Sequence, residues 1–511
     1  MNLLTSKPAR LMGVGAIALL AIAAMLLTQC GPSSEQKLTV SIRKALRVST
    51  DVDCATLETF TDLVASDPKL SQTYPDDEAI IQLIEELYAD LLDKGRLSGD
   101  QPLRICEEAP ESVVEGFDVY LENSGSMFGY FTGNTEFKDA LMDLSVRMVR
   151  KNKEVGYHFV NDEVNSIEGE MSDFMAYLEP ENKDRLKTMG NYRNTKLNQV
   201  VKLVMDAMVE TQRPSVLVSD YIFSLENPTS KLSDQKYSLS VMINKHELVR
   251  KHDFGFLVIK CSSEFDGRYY DKNNEGRALK QARPYYIWII GPQDFLVEMP
   301  KAFDLESLEG YEHHMILCKT QHTAKPYHSI LLKTGKQGRF RALDQKMVPL
   351  LGIKDAEEPR SEDQLFQFAV AVDLSGVPVE DDYRENAEQY TLSSSGNAQF
   401  TLAGIEPIED AAVHDFDQKK YLGPATHILF IQSDKAPKSP QELTVSLKKD
   451  LPQWVYDSST EDDVRVGKDK NSPANERTFG FKYVIEGVSE AFEGVGNEKV
   501  NTYFELNFQI E

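Results

Sequence analysis

Between residues 111 and 300, short apolar runs alternate with stretches of helical period. Runs near Val119, Phe159, Val216, Phe256 and Trp288 read as buried strands. Between the first two, Phe137, Leu141, Leu144 and Met148 fall on one face of a helix, and Leu197, Val200, Val201, Val204 and Met208 form a second such face. Strands alternating with helices predict an α/β fold with an open, largely parallel sheet flanked by helices. From about residue 310 the period changes to two. Phe366, Phe368, Val370, Val372 and Leu374 alternate with Gln367, Ala369, Ala371 and Asp373. Leu443, Val445 and Leu447 do the same, as do Phe504, Leu506, Phe508 and Ile510. Half-buried antiparallel strands of this kind predict a β-sandwich-like carboxyl-terminal domain. One helix interrupts them, with Phe481, Val484, Ile485, Val488 and Phe492 on one face, and Tyr456–Ala474, polar and turn-rich, reads as a long exposed loop.

The amino-terminal part follows a different pattern. Residues 31–50 read as a polar tether with a short basic stretch. Pro75-Asp76-Asp77-Glu78 is an acidic helix start, and Ile80, Ile81, Ile84, Leu87, Tyr88 and Leu91 form a stripe expected to pack on the next domain. The expected division is 1–29 as a targeting segment, 30–110 as tether and helical segment, 111–305 as the α/β domain and 306–511 as the β-rich domain.

Candidate chemistry concentrates in Phe117-Asp118-Val119-Tyr120-Leu121-Glu122-Asn123-Ser124-Gly125-Ser126-Met127. A strand here ends in a carboxylate followed by two spaced hydroxyls, and a helix follows. Open α/β sheets bind ligands at such strand ends. A carboxylate with two hydroxyls is a hard oxygen set that suits Mg²⁺.

Glu122-x-Ser124-Gly125-Ser126-Met127 resembles the metal-ion-dependent adhesion site of von Willebrand factor type A domains, whose pattern is Asp-x-Ser-x-Ser, often Asp-x-Ser-Gly-Ser-Met. Here Glu122 replaces the first Asp. The family adds a Thr and an Asp from two later loops. The matching residues are Thr195, ahead of the Leu197–Met208 helix, and Asp220, which ends the apolar run Ser215–Ser219. The resemblance covers roughly Val113 to Phe295. It implies a vWA-like, Rossmann-type sheet and one Mg²⁺, Mn²⁺ or Ca²⁺ held by Glu122, Ser124, Ser126, Thr195 and Asp220. A carboxylate from a protein or glycan partner would complete the coordination. Phe128, Tyr130 and Phe131 would form an apolar rim around that contact or simply cover the sheet edge. The alternative keeps the fold and loses the metal, with Ser124 and Ser126 only closing the turn, since Mg²⁺ demands tight geometry and Glu carries an extra methylene.

Lys7 and Arg10, the apolar Leu11–Leu27 run and Leu27-Thr28-Gln29-Cys30-Gly31 resemble a bacterial lipoprotein signal with lipidation at Cys30. That resemblance implies a lipid-anchored protein of the cell envelope, at the outer membrane given Gly31. The alternative is a plain transmembrane anchor. Loss of residues 1–29 removes Lys7 and Arg10 and no acid, so the net charge of −25 becomes −27. Such a charge excludes nucleic acid as a partner. Cys54 and Cys106 form a candidate disulfide, whereas Cys261 and Cys318 read equally as a second pair or as buried thiols. Asp271-Lys272-Asn273-Asn274-Glu275-Gly276 begins like a calcium loop but has Ala282 at its twelfth position, so it reads as a solvated loop. No nucleophile motif or phosphate loop occurs. The expected function is binding, not catalysis, with a metal-independent assembly subunit of an envelope complex as the alternative.

Overall fold

The computed structural model describes residues 33–48, 50–52, 54–94, 96–97, 103–106, 114–151, 153–192, 196–223, 230–318, 326–361, 364–469, 472–493 and 502–511. The chain forms two compact bodies, residues 1–108 with 346–349, and residues 109–345 with 350–511. The expected targeting segment, including Cys30, lies outside the described residues.

The first body is helical, with helices Ser34–Val48, Cys54–Ala65, Pro68–Thr73 and Asp77–Asp93, and a short parallel pair β1 (Asp51–Val52) and β2 (Arg104–Ile105). The expected tether is a helix instead. Leu38, Ile42 and Leu46 are four residues apart and bury one face among the basic residues that suggested a linker. They share a core with Ile80, Ile84, Leu87 and Leu91, so the stripe expected to face the next domain is buried inside its own body. Asp76 caps the last helix by accepting from Ala79 N at 2.9 Å. Cys106 is disulfide-bonded; the Cys54 side chain lies outside the described residues.

The second body is built on a seven-stranded sheet: β3 (Gly116–Glu122), β4 (Glu154–Val160), β5 (Val164–Ile167), β6 (Ser215–Ser219), β7 (Phe254–Tyr270), β8 (Gly276–Pro292) and β9 (Tyr311–Cys318), in the order β5-β4-β3-β6-β8-β7-β9. Only β4, β3 and β6 run parallel. β5 is antiparallel to β4, and the β6–β8, β8–β7 and β7–β9 pairs are all antiparallel. The sheet is therefore mixed, not largely parallel. β7 runs in the direction of β6 but one position further out, and a tight hairpin returns β8 into the gap. Asp271 makes that turn by accepting from Asn273 N at 2.9 Å and Glu275 N at 3.0 Å. It is buried and paired with Arg277 at 2.7 Å, so this calcium-like loop spends its first acid on its own backbone.

β7 and β8 pair over all 17 residues of each strand, from Phe254–Pro292 to Tyr270–Gly276. β6 matches only Ser215–Ser219 with Tyr286–Ile290, and β9 reaches only to Cys261. The remainder projects past the sheet as a two-stranded arm across the loop after β3. There Gly267 and Gly129 meet backbone to backbone. A Cβ on Gly267 would lie 2.5 Å from the Gly129 Cα, and one on Gly129 would lie 2.2 Å from the Phe265 ring, so the crossing needs both glycines.

Because β9 belongs to this sheet, the change to the β-rich part comes after Cys318, one strand beyond the expected residue 305. Two sheets follow. One has four strands, ordered β10 (His328–Leu331), β13 (Phe366–Val372), β16 (His427–Ser433) and β15 (Phe400–Pro407). The other has five, ordered β11 (Arg339–Ala342), β12 (Gly352–Glu357), β20 (Thr502–Ile510), β17 (Gln441–Lys448) and β14 (Tyr390–Ser394). All pairs are antiparallel except β12–β20. Phe340 packs on Phe366 and Phe368, and His328 on Phe508, which brings the two sheets face to face.

Between β17 and β20 the chain returns to the seven-stranded sheet and carries a short parallel pair, β18 (Ser459–Thr460) and β19 (Thr478–Phe479). Helix Phe481–Glu493 packs on helix Leu232–Lys245, where Gly487 admits Lys236 O (2.9 Å from an added Cβ) and Lys236 Nζ pairs with Glu490 at 2.6 Å. Phe481, Val484, Ile485 and Val488 join the core of Phe256 and Trp288. The expected exposed loop at Tyr456–Ala474 is largely docked. Val466 is buried in the sheet's other core, and the buried Asp463 carboxylate accepts from Tyr269 Oη at 2.7 Å and Lys272 N at 3.0 Å. Its polar residues pair with polar groups of the arm, which is why composition alone suggests solvent. The Phe481 ring stacks on Tyr286 at 4.0 Å. Phe481→Ala is expected to cost about 3–5 kcal/mol in urea unfolding followed by tryptophan fluorescence; a cost below about 1 kcal/mol would mean that the returning helix is not integral to the sheet.

Candidate functional site

β3 and β6 are parallel neighbours in register, with Leu121 opposite Val218. Both strands are apolar and fully buried, so their ends carry the next polar residues into a common place. β3 ends in Glu122 and β6 in Ser219, followed by Asp220. Ser219 Oγ donates a short hydrogen bond to the Glu122 carboxylate and accepts from Tyr221 N at 2.8 Å. After Glu122 the chain turns sharply. Met127 N donates to Ser124 O at 3.2 Å, and the Ser124 and Ser126 hydroxyls lie 3.1 Å apart. Asn123 anchors the turn through Nδ2, which donates to Leu186 O at 2.8 Å and Met189 O at 2.9 Å. The fold thus gathers Glu122, Ser124, Ser126 and Asp220. Thr195 lies outside the described residues.

Glu122 is 6% exposed and Asp220 3%. Neither has a cationic nitrogen within 4.0 Å among the described residues. Burial raises the Glu122 pKa first and the Asp220 charge raises it further; the Ser219 and Ser124 hydroxyls oppose this, and the result is about 8. Asp220 is also raised by burial, against the pull of the Ser126 hydroxyl, the Ile222 N–H and the more distant Arg283 guanidinium. Two buried carboxylates and nearby hydroxyls form a hard oxygen donor set, and this set fits Mg²⁺ or Mn²⁺. Among the described residues no group of three or more His, Cys, Asp or Glu side chains is placed to hold a metal, so such a site would depend on hydroxyls beside its two acids.

The aromatic residues after the turn cover the sheet and do not ring the site. Tyr130 is buried and donates to Pro284 O at 2.6 Å, while Phe128 and Phe131 are buried beside it. Gly125 and Ser126 of the turn are half-buried. There Gly125 N donates to Tyr192 O at 2.9 Å, and a Cβ on Gly125 would lie 3.3 Å from the Tyr270 ring at the tip of β7. His158, the histidine nearest in sequence, bonds Ser166 Oγ at 3.0 Å and Asp118 at 3.5 Å, so it serves those partners and not Ser124 or Ser126. Cys261 and Cys318 are free and buried.

Two residues absent from the sequence-derived set matter here. Ser219 bonds Glu122, and its position just before Asp220 was the available signal. Arg283, 1% exposed, donates to Asn475 O at 2.7 Å and Arg477 O at 3.1 Å and stacks on Tyr269 at 4.5 Å. An arginine inside an apolar strand was its signal.

A carboxyl group whose pKa is raised on folding binds more protons in the native state between its ordinary value of 4.5 and about 8. Its contribution to stability therefore falls as pH rises through that window and levels off above it. Glu122→Gln removes this term. The urea midpoint of the metal-free wild type should fall more steeply than that of the variant between these limits; parallel profiles would show that Glu122 titrates normally.

Comparison with protein families, characterised proteins and solved structures gives no match, so the reading of this site rests on its own geometry.

Proposed function

We propose that the second body is an A-type binding domain whose dicarboxylate site holds one divalent cation, and that the cation presents an open position to a carboxylate of a protein or glycan partner. The observation that carries this reading is the pair Glu122 and Asp220, both buried, mutually repelling and without a cation in ion-pair range. Glu122 and Asp220 would supply the charge, Ser124 and Ser126 neutral oxygens, and Thr195 a further hydroxyl. A bound cation removes the repulsion and, with two negative charges against its two positive ones, keeps a local field that attracts an anion despite the acidic chain. In the same reading the amino terminus is a lipoprotein signal, with Cys30 the lipidated residue that tethers the protein to the outer membrane of a bacterial envelope. The described residues include no helix long and apolar enough to cross a membrane.

One observation favours the metal-independent assembly role. The arm and the returning segment pack around the turn, and Arg283 already places a positive field near Asp220. The two readings separate on a titration. Calorimetry of the purified protein with Mg²⁺ and Mn²⁺ at pH 8 should give one site. Asp220→Ala should abolish it with the fold intact, and Glu122→Asp, which restores the usual first acid, should keep or tighten it. Absence of divalent-ion binding in both wild type and Glu122→Asp would transfer the site to the scaffold role.

A further inference from the structure

The helical body carries its charges on separate faces. Helix Ser34–Val48 buries Leu38, Ile42 and Leu46 against Ile80, Ile84, Leu87 and Leu91 of helix Asp77–Asp93. At 3.6 residues per turn, the opposite face of the first helix bears Lys37, Val40, Lys44 and Arg47. Lys37 and Lys44 are exposed, Val40 between them is 63% exposed, and Arg47 is half-buried. None of these three cations has a carboxylate within 4.0 Å among the described residues, and the buried Arg47 Nε donor has no hydrogen-bond partner there. Arg43, further round the helix, is neutralised by Asp90 at 3.0 Å. Glu35, the helix's single acid, lies three residues before Leu38 and seven before Ile42, on their side. Helix Asp77–Asp93 has no base, and its exposed Glu78, Glu85, Glu86 and Asp93 lie off the stripe that packs on the first helix.

We propose that this face of helix Ser34–Val48 lies on anionic lipid headgroups of the membrane that holds Cys30, with Lys37, Lys44 and Arg47 against phosphate and Val40 entering the headgroup layer. The location rests on the lipid-anchor reading; the face itself does not, and neither depends on the cation site. The helix begins four residues after Cys30, at most about 14 Å of extended chain. The whole chain has 81 acids against 56 bases, yet this first helix has four bases against one acid. Exposed charges further than about 8 Å from the bilayer are screened at physiological salt, so the face held beside it decides the sign of the interaction. Each base at an anionic membrane surface strengthens binding about fivefold, so three give about a hundredfold. That is the second signal which makes an acyl anchor stable, and it selects one orientation of the helical body. An acidic protein offers the same charge, but the tether holds only the bilayer within constant reach.

The test uses residues 30–511 with Cys30→Ser, which keeps every described residue and carries no acyl chain. Co-sedimentation compares vesicles of equal parts phosphatidylglycerol and phosphatidylcholine with vesicles of phosphatidylcholine alone. The protein should bind the mixed vesicles at about 50 mM salt, and at least about tenfold more weakly on neutral vesicles or at about 500 mM salt. Lys37→Gln with Lys44→Gln, both on the exposed face, should weaken binding about twentyfold, and Lys37→Glu with Lys44→Glu should reduce it to the neutral level, with circular dichroism unchanged. Lys435→Glu with Lys438→Glu, an equal charge change at exposed positions of the second body, should leave binding as it was. Mixed vesicles that bind no better than neutral ones would overturn the proposal, as would equal losses from the two reversed pairs. So would a Lys37/Lys44 reversal that abolishes self-association in vesicle-free sedimentation and spares vesicle binding, since the face would then belong to a second copy. Mass spectrometry of the membrane-purified chain reads Cys30 separately: an unmodified Cys30 would overturn the anchor, while the vesicle result alone decides the basic face.

Discussion

The candidate site depends on one constraint: two carboxylates are buried side by side at the ends of neighbouring parallel strands. Register forces the juxtaposition. β3 and β6 pair from Asp118–Ser215 to Leu121–Val218, so the first polar residues beyond them, Glu122 and Ser219–Asp220, emerge together. A folded chain tolerates such a pair only by holding a proton, by bringing in a cation or by surrounding it with donors. The Ser124, Ser126 and Ser219 hydroxyls supply part of the third remedy. They do not complete it, since both acids remain raised.

Arg283 ties this site to the rest of the second body. It is carried by the β8 side of the arm, holds two carbonyls of the returning segment, stacks on Tyr269 and places its charge within reach of Asp220. The arm, the returning segment and the dicarboxylate pair are thus parts of one electrostatic unit. That explains why a polar stretch between two strands of the sandwich travels back to a different sheet.

Local periodicity made much of this legible. The helix over Glu136–Arg150 buries Phe137, Leu141, Leu144 and Met148 as its spacing requires, and the helix over Phe481–Glu493 does the same with its own stripe. Four residues of the predicted metal set converge because each lies at the end of an apolar strand or in the turn beyond it. What periodicity could not carry was partner choice. Nothing in the composition of Phe254–Pro292 says that β8 folds back between β6 and β7, because an apolar run pairs equally well in either direction. Tyr456–Ala474 reads as solvated because residues such as Asp463 are polar, yet the partner of Asp463, Tyr269, is about two hundred residues away in sequence. The helix at Ser34–Val48 was hidden by basic residues on its outer face while Leu38, Ile42 and Leu46 bore the core.

The most direct test of the account is the titration of Glu122 itself, followed by carboxyl ¹³C NMR with and without Mg²⁺. Without divalent ions it should lose its proton near pH 8, far above the ordinary 4.5. With saturating Mg²⁺ the transition should move below that ordinary value, because the cation replaces the proton. A Glu122 that titrates near its ordinary value and ignores Mg²⁺ would contradict both the buried pair and the cation site.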